Sequence, residues 1–369
     1  MSAQATATIR ALSETRGDTR VRGRIRPVVF YSVLIPVFVL AGIAAVAIGS
    51  TSLEWSMIAR VLAWKTLPAG WVDVGVITRA DEAIVWLIRL PRVLVAAIVG
   101  AGLATAGVMM QGLFRNPLAE PSLTGVGPGA VLGAVAVFVT GWGASSVLAL
   151  PLASIATALL ALLVVYGIAT RGGTTPMTTL LLAGIAVGAF LTAISSLLIS
   201  INIVTWQAAQ EIVFWMMGGL DSRTWAHVWL SLPFVLVGFI AALLQSHTLD
   251  LMLLGEETAA SLGVEVEPAK RLLVVTSAIL TGASVAVAGL VGFVGLVVPH
   301  AVRLLLGPAH RSLLPASALT GATFVILCDL IARTVRPPAE IRLGVVTALC
   351  GAPLFLLLLM RRLKEEEEA

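Results

Sequence analysis

Charged residues are scarce in this sequence. Asp, Glu, Lys and Arg make up 12% of its 369 residues, hydrophobic residues make up 58%, and the mean hydropathy is +1.00. A soluble domain carries about twice that share of charge. Because a membrane-spanning helix needs ~20 apolar residues, the chain is long enough for about ten spans. The composition therefore excludes an ordinary soluble domain and predicts an all-α integral membrane protein.

Cysteine is nearly absent. Cys328 and Cys350 lie in separate apolar runs, and the sequence has neither a CxxC motif nor a Cys/His cluster. A disulfide framework and a metal site are therefore not expected. The net charge of +4 needs no nucleic acid partner to explain it.

Lysine is equally rare. Lys65, Lys270 and Lys364 are the three lysines, and none stands in a GxxxxGK[ST] phosphate-binding loop. The chain is thus not expected to hydrolyse ATP by that route. Active transport would draw energy from another subunit or from an ion gradient. Ion-coupled carriers place ionisable groups near mid-membrane, and Asp329 is the one acid clearly within an apolar run, which weakens the gradient alternative.

Apolar runs bounded by Gly, Pro and charge predict the spans. The run near 293–306 is short and contains Pro299, His300 and Arg303. Ten spans place both termini on one side. The predicted spans are about 28–49, 92–112, 122–140, 146–168, 178–201, 226–245, 268–289, 293–306, 312–332 and 343–361.

The distribution of positive charge orients these spans. Six arginines between Arg10 and Arg26 precede the first span, which predicts a cytoplasmic tail. In that orientation fifteen Lys and Arg residues face the cytoplasm and nine face outward. A cleaved signal peptide is the alternative, but no A-x-A-like site follows the run. We therefore expect a basic cytoplasmic tail (1–27), a transmembrane domain (28–362) and an acidic cytoplasmic tail (363–369).

An internal repeat joins two of the spans. GAGLATAG from Gly100 aligns with GASVAVAG from Gly282, and the same offset places Pro117 on Pro299. The copies lie an odd number of spans apart, which predicts an inverted-topology repeat of the kind found in transporters. Chance recurrence of small residues, which let membrane helices pack closely, is the alternative.

A polar turn ends the first copy, in FRNPLAEPSLTGVGPGA. Pro117 and Pro121 stop the incoming helix, and Asn116 is suited to cap the backbone of the turn. The pattern predicts a helical hairpin on the cytoplasmic side, without catalytic residues.

The longest cytoplasmic connection, HTLDLMLLGEETAASLGVEVEPAKR, carries a short acidic helix. Gly255 and Gly263 bracket it, at roughly Glu256–Leu262. Helices that lie on a bilayer favour Lys and Arg on their polar face, so docking into a groove of a partner protein fits this one better.

Five blocks, in order from about Arg89 to Arg362, carry a family resemblance: RLPRVLVAAIVGAGLATAGVMMQGLFRNPLAEPSLTGV, FWMMGGLDSRTW, LGEETAASLGV, GFVGLVVPHAVRLLLG and RPPAEIRLGVVTALCGAPLFLLLL. The sequence resembles the FecCD-type permease subunits of ABC importers for ferric siderophores, haem and cobalamin. The resemblance implies the type II importer fold, with ten transmembrane helices per subunit.

The resemblance also implies an assembly in the bacterial cytoplasmic (inner) membrane. Two permease subunits, here expected as a homodimer, surround a central path. Two cytoplasmic ATPase subunits use ATP and Mg, and a periplasmic or lipid-anchored binding protein delivers the substrate. The permease itself is expected to bind no cofactor and to catalyse no reaction. Its contact with the ATPases corresponds to a coupling segment (residues 254–264) that includes Leu254, Gly255, Glu256, Glu257, Ala260, Leu262, Gly263 and Val264.

Three arginines match positions that meet the binding protein in the family. Arg89 and Arg92 belong to RLPR, and Arg333 follows the ninth span. Exposed charge pairs of this kind set encounter rate and orientation more than affinity. Ordinary anchoring at the membrane interface is the alternative interpretation.

The family's inner gate corresponds to a gate segment at residues 170–176. Thr174 and Thr175 are small and polar, as suits a constriction, although such residues are also ordinary in a turn. Arg171 either closes the path electrostatically or holds the loop inside.

His300 follows Pro299 in VPHAVR. A structural role, capping backbone freed by Pro299, is favoured over haem ligation. The leading function is import of an iron chelate, either a ferric siderophore or haem. Cobalamin import is the alternative within the family, since FWMMGG and LLGEETAASLGV fit it equally, and an ion-coupled secondary carrier is the alternative from another class.

Overall fold

A computed structural model describes residues 25–49, 53–68, 71, 77–144, 146, 148–202, 206–337 and 339–367. Fourteen helices form this part of the chain, with short 3-10 turns at Pro121–Thr124 and Trp142–Ala144. The helices are α1 Pro27–Ala47, α2 Trp55–Thr66, α3 Arg79–Leu113, α4 Val126–Thr140, α5 Ala149–Ala169, α6 Met177–Asn202, α7 Trp206–Met216, α8 Trp225–Leu244, α9 Ser246–Met252, α10 Glu256–Ser261, α11 Val266–Ala288, α12 Val294–Leu306, α13 His310–Thr334 and α14 Leu343–Glu367.

Ten apolar helices coincide with the ten predicted spans. Seven of them (α1, α3, α5, α6, α8, α11 and α13) are long and apolar enough to cross a membrane. The other three (α4, α12 and the apolar part of α14) are shorter. At 1.5 Å per residue, the 13 residues of α12 extend only about 20 Å, less than the ~30 Å of a hydrocarbon core. The predicted all-helical membrane fold is confirmed.

The helix α3 changes its winding where a proline enters it. Thr78 and Asp81 form a capping box at its start. The segment Ala83–Arg89 is π-helical and ends two residues before Pro91. Proline lacks an N–H and crowds the preceding turn, so a wider turn accommodates it within one continuous helix. This extension of α3 and the helix α2 were not predicted from the sequence.

The centre of the bundle is α3, against which α8, α11, α12 and α13 pack. Glycines bring the backbones together. A Cβ added at Gly100 would lie 2.1 Å from the carbonyl oxygen of Gly321 in α13. One added at Gly107 would lie 1.9 Å from the carbonyl oxygen of Gly295 in α12. No other residue fits at such crossings, which is the packing role expected of small residues in membrane helices.

The two copies of the predicted repeat differ in local structure. Gly107 lies within α3, whereas its counterpart Gly289 ends α11 with a φ of +68°. Pro117 stands in the turn after α3, whereas Pro299 lies inside α12. The inverted orientation of the copies across the membrane stays a prediction.

Candidate functional site

The predicted coupling segment forms α10 and its flanks. Gly255 and Gly263, which bracket the helix, have φ values of +108° and +90°. Only glycine adopts such angles easily, so both ends of the segment turn sharply. Ala259 is fully buried, whereas Leu254 is 62% and Leu262 is 57% exposed. Because Leu254 precedes α10 and Leu262 follows it, these two exposed side chains leave an apolar surface for a partner on both flanks of the helix. Glu257 and Ala260 are also exposed, and Glu256 and Val264 are partly buried.

The polar turn after α3 lies beside this segment. Arg115 has a φ of +49°, and its Nη1 atom would be 3.6 Å from a Cβ added at Gly255. Asn116 accepts a hydrogen bond from the Leu118 backbone N–H at 2.9 Å, which closes the turn before Pro117. Pro121 then opens the 3-10 turn that leads into α4. We call this end of the bundle the coupling end. It contains residues 113–121 and the coupling segment.

The gate segment forms a tight reversal between α5 and α6. The backbones of Arg171 and Thr174 exchange two hydrogen bonds of 3.0 and 3.1 Å. Gly172 and Gly173 have φ values of +60° and +83°, as a two-residue turn of type I′ requires. Arg171 and Thr174 are exposed, but Thr175 is fully buried.

The interior position of Thr175 differs from the predicted one. Its hydroxyl pairs with the hydroxyl of Thr170 at 2.9 Å and donates to the Tyr166 hydroxyl at 3.2 Å. A side chain bound in this way lines no open constriction within the subunit. Gating by Arg171, Thr174 and Thr175 therefore stays a prediction, with the Thr175 side chain buried inside the subunit.

Lys270, in the first turns of α11, connects the gate segment with the coupling segment. Its side chain is 2% exposed. Its ammonium donates to Glu256 Oε2 at 2.6 Å, Glu267 Oε1 at 3.0 Å and the Thr175 carbonyl at 3.2 Å. Glu267 Oε2 accepts in turn from the Thr175 backbone N–H at 3.1 Å. These contacts of Lys270 were not predicted from the sequence.

A second contact ties the connection before α10 to the bundle. Asp250 Oδ1, in α9, accepts from the backbone N–H of His310 at 2.9 Å and lies 2.7 Å from His310 Nδ1. Asp250 therefore caps the start of α13. The coupling end is attached to α13 as well as to α11.

Arg89 and Arg333 lie at the opposite end of the bundle, where α3 starts and α13 ends. They are 5% and 7% exposed. Arg89 donates to the carbonyls of Val46 and Ala47 at 2.9 and 2.8 Å, and Arg333 donates to the carbonyl of Ala45. These are the last carbonyls of α1, which have no partner within the helix. The expectation that both arginines are exposed is wrong, because their charges satisfy the end of α1. Their role in docking stays a prediction.

Arg92 occupies the same end, in a network of acids. It binds both oxygens of Asp329 at 2.9 to 3.1 Å and both oxygens of Glu340 at 2.8 and 3.0 Å. Asp329 is 1% exposed and also lies 3.6 Å from Arg333. The charges thus neutralise one another, as buried ions must.

Asp221 and Arg342 extend this network toward the surface and form an ion pair. Burial alone would raise the pKa of the Asp221 carboxyl, but a hydrogen bond with Glu340 and the charges of Arg342 and Arg92 lower it below its usual value. We call the set around Arg92 the outer network. It consists of Arg92, Asp221, Asp329, Arg333, Glu340 and Arg342. About 30 Å of α3 separates it from the coupling end.

Pro299 and His300 lie in the middle of α12, which continues past both residues. The described residues contain no group of three or more His, Cys, Asp or Glu side chains able to hold a metal ion.

The sequence matches known transporters along most of its length. The model of the FecCD transport family matches residues 37–361. A cobalamin import system permease from Halobacterium salinarum is 45% identical over 283 residues, which cover 76% of this chain and 74% of that protein. A hemin transport system permease from Yersinia pestis is 37% identical, with 93% of this chain and 98% of that protein covered.

The fold gives the same answer. A solved structure described as an inward-facing metal-chelate type ABC transporter superposes with a TM-score of 0.79 at 32% identity. The match covers 91% of this chain and all of that chain. The chain belongs to the FecCD transport family and is a multi-pass membrane permease of an ABC transporter.

Proposed function

We propose that the chain is the membrane-spanning subunit of an ATP-driven importer for an iron chelate, a ferric siderophore or haem. The observation that carries this proposal is the exposed apolar surface of the coupling segment, with Leu254 and Leu262 flanking a helix that is anchored by the buried Ala259. A surface of this kind is suited to a groove on a separate protein. This separate protein is an ATPase subunit.

The assembly has two copies of this chain, two cytoplasmic ATPase subunits that use ATP and Mg, and a periplasmic or lipid-anchored binding protein. The chain binds no cofactor and catalyses no reaction. It lies in the cytoplasmic membrane of a bacterium with both termini inside, so that the coupling end faces the ATPases and the outer network faces the binding protein.

The iron-chelate assignment has support from two matches of nearly full length. The hemin permease is aligned over 93% of this chain and the metal-chelate transporter over 91%. Cobalamin is the second candidate. The 45% identity to a cobalamin import permease supports it, over 76% of the chain.

Docking of the binding protein fits exposed arginines better than buried ones. Arg79, at the start of α3, and Arg336, after α13, are exposed at the outer end. We assign them the first electrostatic contact with acidic residues of the binding protein. Arg89, Arg92 and Arg333 then have structural roles within the chain and make no direct contact with the binding protein.

Uptake by proteoliposomes tests the function. The chain is reconstituted with its ATPase and binding protein, and entry of a labelled ferric siderophore, haem and cobalamin is compared with and without ATP. We expect ATP-dependent, vanadate-sensitive uptake of an iron chelate. Uptake of cobalamin alone would select the second candidate. Uptake that persists without the ATPase would instead show an ion-coupled carrier.

A further inference from the structure

We propose that Lys270 transmits movement from the coupling segment to the gate segment. This inference rests on the proposed function, because it assigns a route between two sites that the function requires. It is carried by the three contacts of one buried ammonium group, which come from α10, from α11 and from the gate segment.

The ammonium group is saturated. A lysine carries three N–H donors, and here each has its own oxygen acceptor. A cation that is 2% exposed needs these partners, because an unpaired buried charge is costly. Loss of any one contact therefore perturbs the other two.

The gate segment is held at a single residue by two groups. The carbonyl of Thr175 accepts from Lys270 and its N–H donates to Glu267. Lys270 and Glu267 both lie on α11, one helical turn apart, and the Lys270 ammonium lies 3.0 Å from Glu267 Oε1. The exposed tip from Arg171 to Thr174 extends from this fixed point.

The coupling segment reaches the same lysine through Glu256. The side chain of Glu256 is 40% exposed, whereas that of Lys270 is 2% exposed, so the bond runs from the surface into the interior. Glu256 is the first residue of α10, immediately after Gly255 at a φ of +108°. A displacement of α10 by a docked ATPase pulls first on this bond.

The consequence is a mechanical joint. When α10 moves with the ATPase, either Lys270 and Thr175 follow or the ion pair with Glu256 breaks. While the ion pair holds, the position of the gate segment follows the position of the coupling segment, which is the linkage that ATP-driven opening requires.

Thiol labelling of the gate segment tests this joint in the reconstituted complex. The reference chain carries Thr174→Cys at the exposed tip and Cys350→Ser, since Cys350 is exposed and Cys328 is buried. The rate of maleimide labelling is measured without nucleotide and with ATP plus vanadate. Uptake per ATP hydrolysed is measured in parallel, with melting temperature as a check on folding.

Glu256→Gln is the test variant, because an amide keeps the shape but removes the charge that binds Lys270. We expect its nucleotide-dependent change in labelling and its uptake per ATP to fall about tenfold, a typical size for coupling between sites. Glu265→Gln is the matched control. Glu265 lies in the same connection and is exposed, and its side chain makes no capping hydrogen bond to α11. The change in labelling and the uptake per ATP should therefore stay at the reference values.

The possible results separate the two proposals. Reference-like labelling and uptake in Glu256→Gln would overturn the joint and leave the importer function intact. A lower melting temperature with unchanged uptake per ATP would reduce Lys270 to a structural role and equally overturn it. No nucleotide-dependent change in the labelling of the reference chain would overturn the joint, whereas no ATP-dependent uptake by the reference complex would overturn the importer function and the joint with it. If Glu256→Gln does not assemble, Glu256→Asp keeps the charge but shortens the side chain, and it should show the same loss.

Discussion

The crossing of α3 and α13 provides a prediction that separates two glycines which look alike in the sequence. Gly100 and Gly282 are matched by the internal repeat, GAGLATAG against GASVAVAG. Their surroundings differ. A Cβ at Gly100 would lie 2.1, 2.5 and 2.8 Å from three backbone atoms of α13, whereas a Cβ at Gly282 would lie 3.4 Å from the Cβ of Ala158.

The expected cost of Gly100→Ala follows from these distances. To bring the nearest contact from 2.1 Å to the 3.4 Å of an ordinary contact, the two helices must separate by about 1.3 Å. The obstacle is backbone, so no side-chain rotation relieves it. Overpacking typically costs 1–3 kcal/mol, and we expect a loss of about 3 kcal/mol here. At Gly282 alanine meets no obstacle, and its better helix propensity should add up to about 1 kcal/mol.

Thermal unfolding in detergent measures this difference. At roughly 2–4 °C per kcal/mol for domains of 150–250 residues, and less for larger chains, Gly100→Ala should lower the midpoint by about 5 °C. Gly282→Ala should leave it unchanged or raise it slightly. An unchanged midpoint for Gly100→Ala, or an equal loss for both variants, would refute the reasoning from backbone contact.

Two further predictions concern the charges at the outer end. Asp329→Asn removes a 1% exposed partner of both Arg92 and Arg333 and should lower the free energy of unfolding by about 3–5 kcal/mol. Glu340→Gln changes a side chain that is 33% exposed and should lower it by less than about 1 kcal/mol. The melting temperatures of the two variants measure this difference. Arg89→Met leaves the Val46 and Ala47 carbonyls unpaired and should cost about 1–3 kcal/mol. The affinity of the Arg89→Met variant for the binding protein at low salt should not change. The double variant Arg79→Glu with Arg336→Glu should bind that protein more weakly. Loss of affinity in Arg89→Met without loss of stability would restore a direct docking role.

The spans were predictable from the sequence because each is a local property. In lipid a helix must satisfy its backbone internally, so an uninterrupted apolar run of sufficient length is enough to identify it. Even the short run at 293–306 is a helix, Val294–Leu306. The ends of α10 were also predictable from the two glycines that bracket it, since the sharp turns there depend only on the φ angles of those glycines.

The ion pairs were not predictable, because their partners are distant in the chain. Arg92 and Asp329 are separated by 237 residues, and Lys270 lies 95 residues from Thr175. From their positions in the motifs, Arg89 and Arg333 were predicted to be exposed. The backbone carbonyls at the end of α1 lack partners within the helix, however, and the two arginines supply the donors. That requirement was visible in principle, since α1 ends at Ala47 without a basic residue in its last turn.

The two ends of the bundle use different cations for different tasks. At the outer end, arginine binds several fixed acceptors at once, and its rigid planar fork suits an arrangement that does not change. Arg92 holds both oxygens of two carboxylates, and Arg89 holds two carbonyls of one helix end. At the coupling end the cation is a lysine, whose compact ammonium and flexible stem can keep its acceptors through small displacements. Lysine therefore suits a joint in which the gate segment follows the coupling segment while the three contacts are kept.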